Sequence, residues 1–288
     1  MPQSAVTTVL PSEPIDLRLV VTDLDGTLLD GDGRIPDRLW EVLPRLRERG
    51  ITLAPASGRQ YATLRRLFAR SDEGMAFIAE NGTFVVLDGN ELSCTPLEPG
   101  FASALVGLVR DLVTDGYDIG LVWCGRDAAY VERSDAEFVA EVSRYYAALE
   151  IVDDLRQVSE AAIKCAVFDF GGAEAGAATL LTERCAPHQV VASSEHWVDI
   201  MSADANKGAA LDSLQQQLGV TPEQTVVFGD YLNDLEMISD TPYSFAMANA
   251  HPEVIEAARF VAPTNREQGV LQVLELLLEA SESTQPAA

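Results

Sequence analysis

Apolar and polar positions along the first eighty residues alternate between two periods. Residues 17–23 form a short apolar run of strand length, and residues 51–57 and 75–80 form two more. Between them lie stretches of helical spacing. Leu39, Val42, Leu43 and Leu46 follow i, i+3, i+4, i+7, with Pro36 before them as a start signal and Gly50 after them as a stop. Pro44 inside this stretch predicts a kink. Residues 61–70 predict a second helix. Strands alternating with helices in this way predict a parallel sheet with right-handed crossovers.

The texture changes after Asn81-Gly82. Residues 83–87 and 91–93 read as a hairpin around Asp88-Gly89-Asn90, a turn sequence. A helix over 101–114, strands over 119–123 and 129–132, a helix over 136–149, a strand over 163–170 and a helix over 174–185 follow. Strands near 190–193 and over 197–201 close this stretch, which predicts a separate α+β module. From Lys207 the parallel texture returns. Leu211, Leu214 and Leu218 mark a helix, 225–229 a strand, 235–238 a short helix, 244–247 a strand, 252–258 a helix, 260–262 a strand and 270–280 a final helix. The expected architecture is α/β: a doubly wound, Rossmann-like parallel-sheet core from 1–87 and 199–288, with an α+β cap inserted at 88–198. Residues 1–14 and 281–288 read as flexible polar tails.

Composition narrows the function. The 288 residues suffice for one large or two medium domains, and 47% hydrophobic content is ordinary for globular chains. The net charge of −25 argues against nucleic acid and anionic membrane surfaces as partners, since both call for basic patches. No apolar run approaches the ~20 residues of a membrane span, and the N-terminus lacks the pattern of a signal peptide. The cysteines, Cys94, Cys124, Cys165 and Cys185, have no CxxC spacing, so they read as small buried hydrophobes in a reducing, cytoplasmic setting. Arginine outnumbers lysine by 18 to 2, which singles out Lys164 and Lys207.

Candidate chemistry begins with Asp23-Leu24-Asp25-Gly26-Thr27. In extended backbone, residues i and i+2 share a face, so Asp23 and Asp25 are expected to project into one crevice. Two carboxylates that close repel each other unless a divalent cation neutralises one and the other holds a proton. Three further pieces stand at or just beyond predicted strand ends: Ser57-Gly58-Arg59, Asn206-Lys207-Gly208 and Gly229-Asp230-x-x-Asn233-Asp234. Ligands of open α/β sheets bind outside those ends.

In order and spacing these pieces resemble the haloacid dehalogenase-like superfamily of phosphohydrolases. Glu80-Asn81-Gly82, the run Met247-Ala248-Asn249-Ala250, and Thr264-Asn265-x-x-Gln268-Gly269-Val270 resemble its Cof-type branch. The resemblance spans residues 17–278. It implies a phosphatase acting on small phosphomonoesters, hexose or pentose phosphates by default, through an aspartyl-phosphate. Asp23 would be the nucleophile and Asp25 the acid/base. Ser57 and Lys207 would bind phosphoryl oxygens, with Gly58, Arg59 and Asn233 as further substrate contacts. Mg²⁺ would be held by Asp23, the Asp25 backbone carbonyl and Asp230, with Asp234 direct or through water. Ser57 stands where the branch usually has Thr, Ala248 where Gly is frequent, and Tyr231 where small residues are common.

The inserted module is expected to close as a lid and to choose the substrate. Trp123, Arg126, Lys164 and Trp197 are its candidate contacts. For Lys164 a snorkelling strand-end residue is the alternative to an anion contact. Arg59 binds substrate or braces its loop. His188, His196 and His251 share no motif with a nucleophile and read as structural. Asp25, where an ion pump would carry Thr, argues for hydrolysis. A phosphomutase on the same core and a non-catalytic phospho-metabolite sensor are the competing readings.

Overall fold

The computed structural model describes residue 11 and residues 15–173 and 176–282. In chain order the elements begin β1 (Leu19–Thr22), α1 (Leu39–Glu48), β2 (Thr52–Pro55), α2 (Tyr61–Phe68), β3 (Ala76–Ala79), β4 (Phe84–Leu87) and β5 (Asn90–Cys94). They continue α3 (Pro99–Thr114), β6 (Ile119–Cys124), β7 (Ala129–Val131), α4 (Ala136–Tyr145), β8 (Leu149–Ile151), β9 (Lys164–Asp169), α5 (Ala177–Cys185), β10 (Gln189–Ala192) and β11 (Trp197–Met201). The last stretch holds α6 (Lys207–Leu218), β12 (Thr225–Gly229), α7 (Leu235–Ser239), β13 (Tyr243–Met247), α8 (Pro252–Ala257), β14 (Phe260–Ala262) and α9 (Gly269–Glu282). The fold is α/β, as the alternating pattern predicts.

Two compact units form. The first takes the described residues of 1–57, Ser71–Phe77 and those from Lys207 onward. Its sheet is wholly parallel in the order β14-β13-β12-β1-β2. All four residues of β1 are buried, so both faces of the strand are covered. The helices fall into two groups: α1 packs on α9, while α7 packs on α6 and α8. The predicted stripe of α1 (Leu39, Val42, Leu43, Leu46) is its buried face, and the helix continues through Pro44.

The second unit takes Gly58–Arg70 and Ile78–Asn206. Its sheet runs β10-β11-β9-β6-β7-β8, antiparallel except for the β7–β8 pair. Alternation gives it two faces. Cys165, Val167, Val198, Ile200, Ile119, Leu121 and Trp123 pack with residues of α3 and α5. Lys164, Ala166, Phe168, Trp197 and Asp199 alternate with them and are also buried.

Two expectations need correction. The run at 75–80 does not join the parallel sheet. Glu80, Asn81 and Gly82 all take positive φ (50°, 57° and 98°), and β3 stands in a separate sheet of order β3-β4-β5. The helix expected over 136–149 stops at Tyr145, and β8 follows. Residues 58–70 and 78–87 group with the second unit rather than the first, and so do 199–206, so its segments differ from the expected 88–198. The tails fall mostly outside the described residues, but Ser281 and Glu282 close α9. The helix expected from 174 is described from Ala177.

Candidate active site

In the first unit β1 lies between β2 and β12, two strands reached by opposite routes along the chain. Such a reversal leaves a crevice beyond the strand ends. Asp23 directly follows β1, and Asp230 and Asp234 follow β12. Carboxylate oxygens of these three residues lie within 4.8 Å of one another. Lys207, the first residue of α6, is fully buried among them. Its Nζ lies 2.6 Å from Asp23 Oδ1 and 2.6 Å from Asp234 Oδ1.

Each carboxylate is aimed by its neighbours. Asp234 Oδ2 accepts from the amides of Asp230 (2.8 Å) and Tyr231 (3.1 Å). Asp230 Oδ1 accepts from the Thr27 hydroxyl at 2.8 Å. Gly26 turns the loop with φ +89°, and a Cβ there would sit 2.2 Å from Asp230 Oδ2. The Asn249 side chain donates to Gly26 O (2.8 Å) and accepts from Asn265 N (3.0 Å), while Asn265 Nδ2 donates to Leu29 O (2.9 Å). The motifs around 247–250 and 264–270 therefore brace the Asp23 loop. Ala248 does not disturb the turn, since Ala250 N reaches Met247 O at 2.8 Å.

The electrostatics follow from burial. Desolvation pushes Asp23 up to about 7, against the pull of Lys207 and with a push from Asp234. Desolvation, then Asp23 and Asp234, push Asp230 up to about 9 despite Thr27 and Lys207. Burial alone would lower the Lys207 ammonium, but Asp23 and Asp234 outweigh it and hold it above its ordinary range. The site is short of positive charge, and its donors are all oxygens. That donor set suits a hard divalent cation.

The expected residues separate as follows. Asp23, Asp230, Asp234 and Lys207 meet in one cluster. Asp25 is exposed and outside it, because β1 ends at Thr22 and the loop, not the strand, carries both aspartates. Ser57 is buried just beyond β2, and Asn233 is half-buried in the turn before α7. Gly58 and Arg59 belong to the second unit, where the Arg59 guanidinium lies 5.3 Å from the centre of the Tyr145 ring. Thr27 was missed, although a hydroxyl two residues beyond Asp25 in a glycine turn was the available signal.

Guesses about the second unit are revised. Trp123 lies on the helix-packed face and donates its indole N–H to Glu160 O at 3.0 Å. Arg126 is at the surface, 3.2 Å from Glu91. Lys164 does not snorkel: it is 1% exposed and pairs with Glu80 and Asp199. Each histidine meets a ring or a backbone group. His188 stacks on Phe101, His196 bonds Asp169 O, and His251 caps α8.

Comparison with known proteins decides the family. A model of the haloacid dehalogenase-like hydrolases matches residues 20–274. The chain belongs to the haloacid dehalogenase-like hydrolases. Phosphatase activity goes with that membership, and related members carry it in their names. A 5-amino-6-(5-phospho-D-ribitylamino)uracil phosphatase of Escherichia coli is 29% identical over 92% of this chain and 97% of its own. An HMP-PP phosphatase of Cronobacter sakazakii is 27% identical over 83% and 86%. Among solved structures, a haloacid dehalogenase-like hydrolase of Bacteroides thetaiotaomicron superposes with a TM-score of 0.79 at 25% identity, covering 91% of this chain and 99% of that one. A Streptococcus mutans protein reaches 0.84 at 26% identity over 91% and 99%. No helix among the described residues of this hydrolase is long and apolar enough to cross a membrane.

Proposed function

We propose that this chain is a Mg²⁺-dependent phosphatase that hydrolyses small phosphomonoesters, sugar phosphates foremost, through an aspartyl-phosphate on Asp23. The observation that carries the reading is the buried Lys207 ammonium held between Asp23 and Asp234 with Asp230 alongside. A nucleophile that must meet a dianion needs a fixed positive partner, and phosphoryl transfer rests mostly on positioning and charge neutralisation.

In the first step an Asp23 carboxylate oxygen attacks phosphorus in line. The bond from phosphorus to the ester oxygen breaks, and Asp25 gives its proton to the departing alkoxide. In the second, Asp25 takes a proton from water, whose oxygen attacks phosphorus. The Asp23–phosphorus bond breaks, and inorganic phosphate leaves. Lys207 and the Ser57 hydroxyl hold the phosphoryl oxygens through both steps. Mg²⁺, held by the carboxylates of Asp23 and Asp230 and the Asp25 carbonyl, would supply the remaining positive charge against the transferring group. Asp234 serves differently. One oxygen is taken by Lys207 and the other by two backbone amides, so it positions Lys207 and the Asp230 loop rather than offering a free ligand atom. The buried unpaired thiols fit a reducing, cytoplasmic setting.

Substrate choice belongs, in this reading, to the second unit. The Escherichia coli relative named above carries a uracil ring in its substrate's name, so the panel must extend beyond sugars. The test is phosphate release from hexose, pentose, pyridoxal, nucleotide, flavin mononucleotide and ribitylaminouracil phosphates, with and without Mg²⁺. Release that needs Mg²⁺ and vanishes in Asp23→Asn is the expected result. Turnover surviving that substitution, or no release from any monoester, overturns the proposal.

A further inference from the structure

The second unit holds a buried ionic cluster that the chemistry on Asp23 does not use directly. Lys164 opens β9, and its side chain is 1% exposed. Its Nζ donates to Gly58 O at 2.6 Å and lies 2.7 Å from Glu80 Oε2 and 3.3 Å from Asp199 Oδ1. Asn81 Nδ2 donates to the other Asp199 oxygen. The Tyr146 ring covers the ammonium at 5.7 Å, and its hydroxyl meets Cys124 Sγ at 3.4 Å. Burial pulls the Lys164 ammonium down, but Asp199 and Glu80 outweigh it and hold it above its ordinary range.

A buried ion pair is a poor device for stability alone, because desolvation offsets the attraction. What an ammonium does that an apolar side chain cannot is hold a carbonyl, and the carbonyl held here is that of Gly58. The same short segment is gripped twice more. The Glu80 amide donates to Arg59 O at 3.1 Å. The Asn81 side chain fills the space where a Gly58 Cβ would stand, 3.1 Å from its Oδ1. Glu80 and Asn81 both adopt left-handed backbone to do this, an unfavourable conformation for residues with side chains. Ser57, the candidate phosphate ligand, is one peptide bond before Gly58, and Arg59 is one after it.

We propose that Lys164 is a positioning residue for the phosphoryl group: by holding the Gly58 carbonyl beside the Glu80–Asp199 pair, it fixes the Gly58–Arg59 peptide and, through the Gly58 backbone, the direction of the adjoining Ser57 hydroxyl. This rests on the phosphatase reading of Asp23 and Ser57. The predicted consequence is selective. Losing the ammonium weakens binding of the phosphoryl group while leaving the Asp23–Asp230 carboxylates able to bind Mg²⁺.

Lys164→Met alone strands two buried carboxylates and is expected to lower the unfolding temperature. The decisive protein is therefore Lys164→Met combined with Glu80→Gln and Asp199→Asn, which removes the cluster's charges together. Orthovanadate inhibition and p-nitrophenyl phosphate hydrolysis are measured on the full chain, with Mg²⁺ affinity and unfolding temperature alongside. The expected result is an unfolding temperature near wild type, an unchanged Mg²⁺ affinity, and a vanadate Ki and kcat/KM both worse by about 100-fold, the scale of a misplacement near 1 Å. A triple variant that folds with wild-type Ki and kcat/KM overturns the proposal and leaves Lys164 purely structural. A wild-type protein that vanadate does not inhibit overturns the phosphatase reading, and this inference with it.

Discussion

Gly26 shows how much a single residue can carry in this site. Its φ of +89° and the 2.2 Å from a built Cβ to Asp230 Oδ2 leave no room for a side chain. Gly26→Ala is expected to cost about 1–2 kcal/mol in backbone strain and to push Asp230 off the cluster. Calorimetric titration should show Mg²⁺ affinity down by about tenfold or more, the equivalent of ~1.4 kcal/mol; an unchanged affinity would show that Asp230 is not held by this turn. Protonation offers a second test. The folded protein raises Asp23 from 3.8 to about 7 and Asp230 from 3.8 to about 9. Between those values the metal-free folded state binds more protons than the unfolded chain, so its stability falls as pH rises from about 4 toward 9. Lys207 is protonated in both states across that window and adds no slope. Mg²⁺ competes with those protons. It should therefore raise the unfolding temperature more at pH 9 than at pH 5, and an equal shift at both would count against ligation by this pair. Asp23, Asp230 and Asp234 were legible because each sits in a short motif just beyond a strand end, and Lys207 because it is one of two lysines in the chain. The partnership of Lys164 with Glu80 and Asp199 was not. Each lies in or beside an apolar run, and periodicity tells that such a side chain is buried without telling what it meets.

Elements with strong local signals came through well. The β4–β5 hairpin closes on Asp88 and Gly89, both at positive φ (49° and 75°), the geometry that an Asp-Gly pair favours. The stripe of α1 and the strand β11 also matched their patterns. What failed was pairing and very short structure. A run such as 75–80 reads the same whether it joins β2 or β4, and the left-handed turn at Glu80–Asn81 decides the matter. β8 is three residues long, below what a period can reveal, and the expected helix ran past Tyr145 to its first residue, Leu149. A cap within the second unit gives a test separate from catalysis. Asp135 accepts from Phe138 N at 3.2 Å at the start of α4. Asp135→Ala should lower stability by about 1 kcal/mol in urea titration, and a loss of kcat without loss of stability would contradict a purely capping role.

At the scale of the whole molecule, charge and chain path dominate. A net charge of −25 stores self-repulsion in the folded state. Raising NaCl from about 10 mM to about 500 mM shortens the screening length from ~30 Å to a few ångströms, so the unfolding temperature should rise; a flat response would mean that the acidic groups are already offset locally. Chain path has a different consequence. In the first unit Leu19 pairs with Thr52 on one side and with Thr225 on the other. A ribosome delivers the second unit's whole sheet, β6 to β11, before it delivers β12. During synthesis β1 therefore waits with one edge open, the kind of edge that invites wrong partners. The loop that carries Asp23 is made before the second unit's sheet, and it meets Lys207 and Asp230 only after that sheet has been delivered.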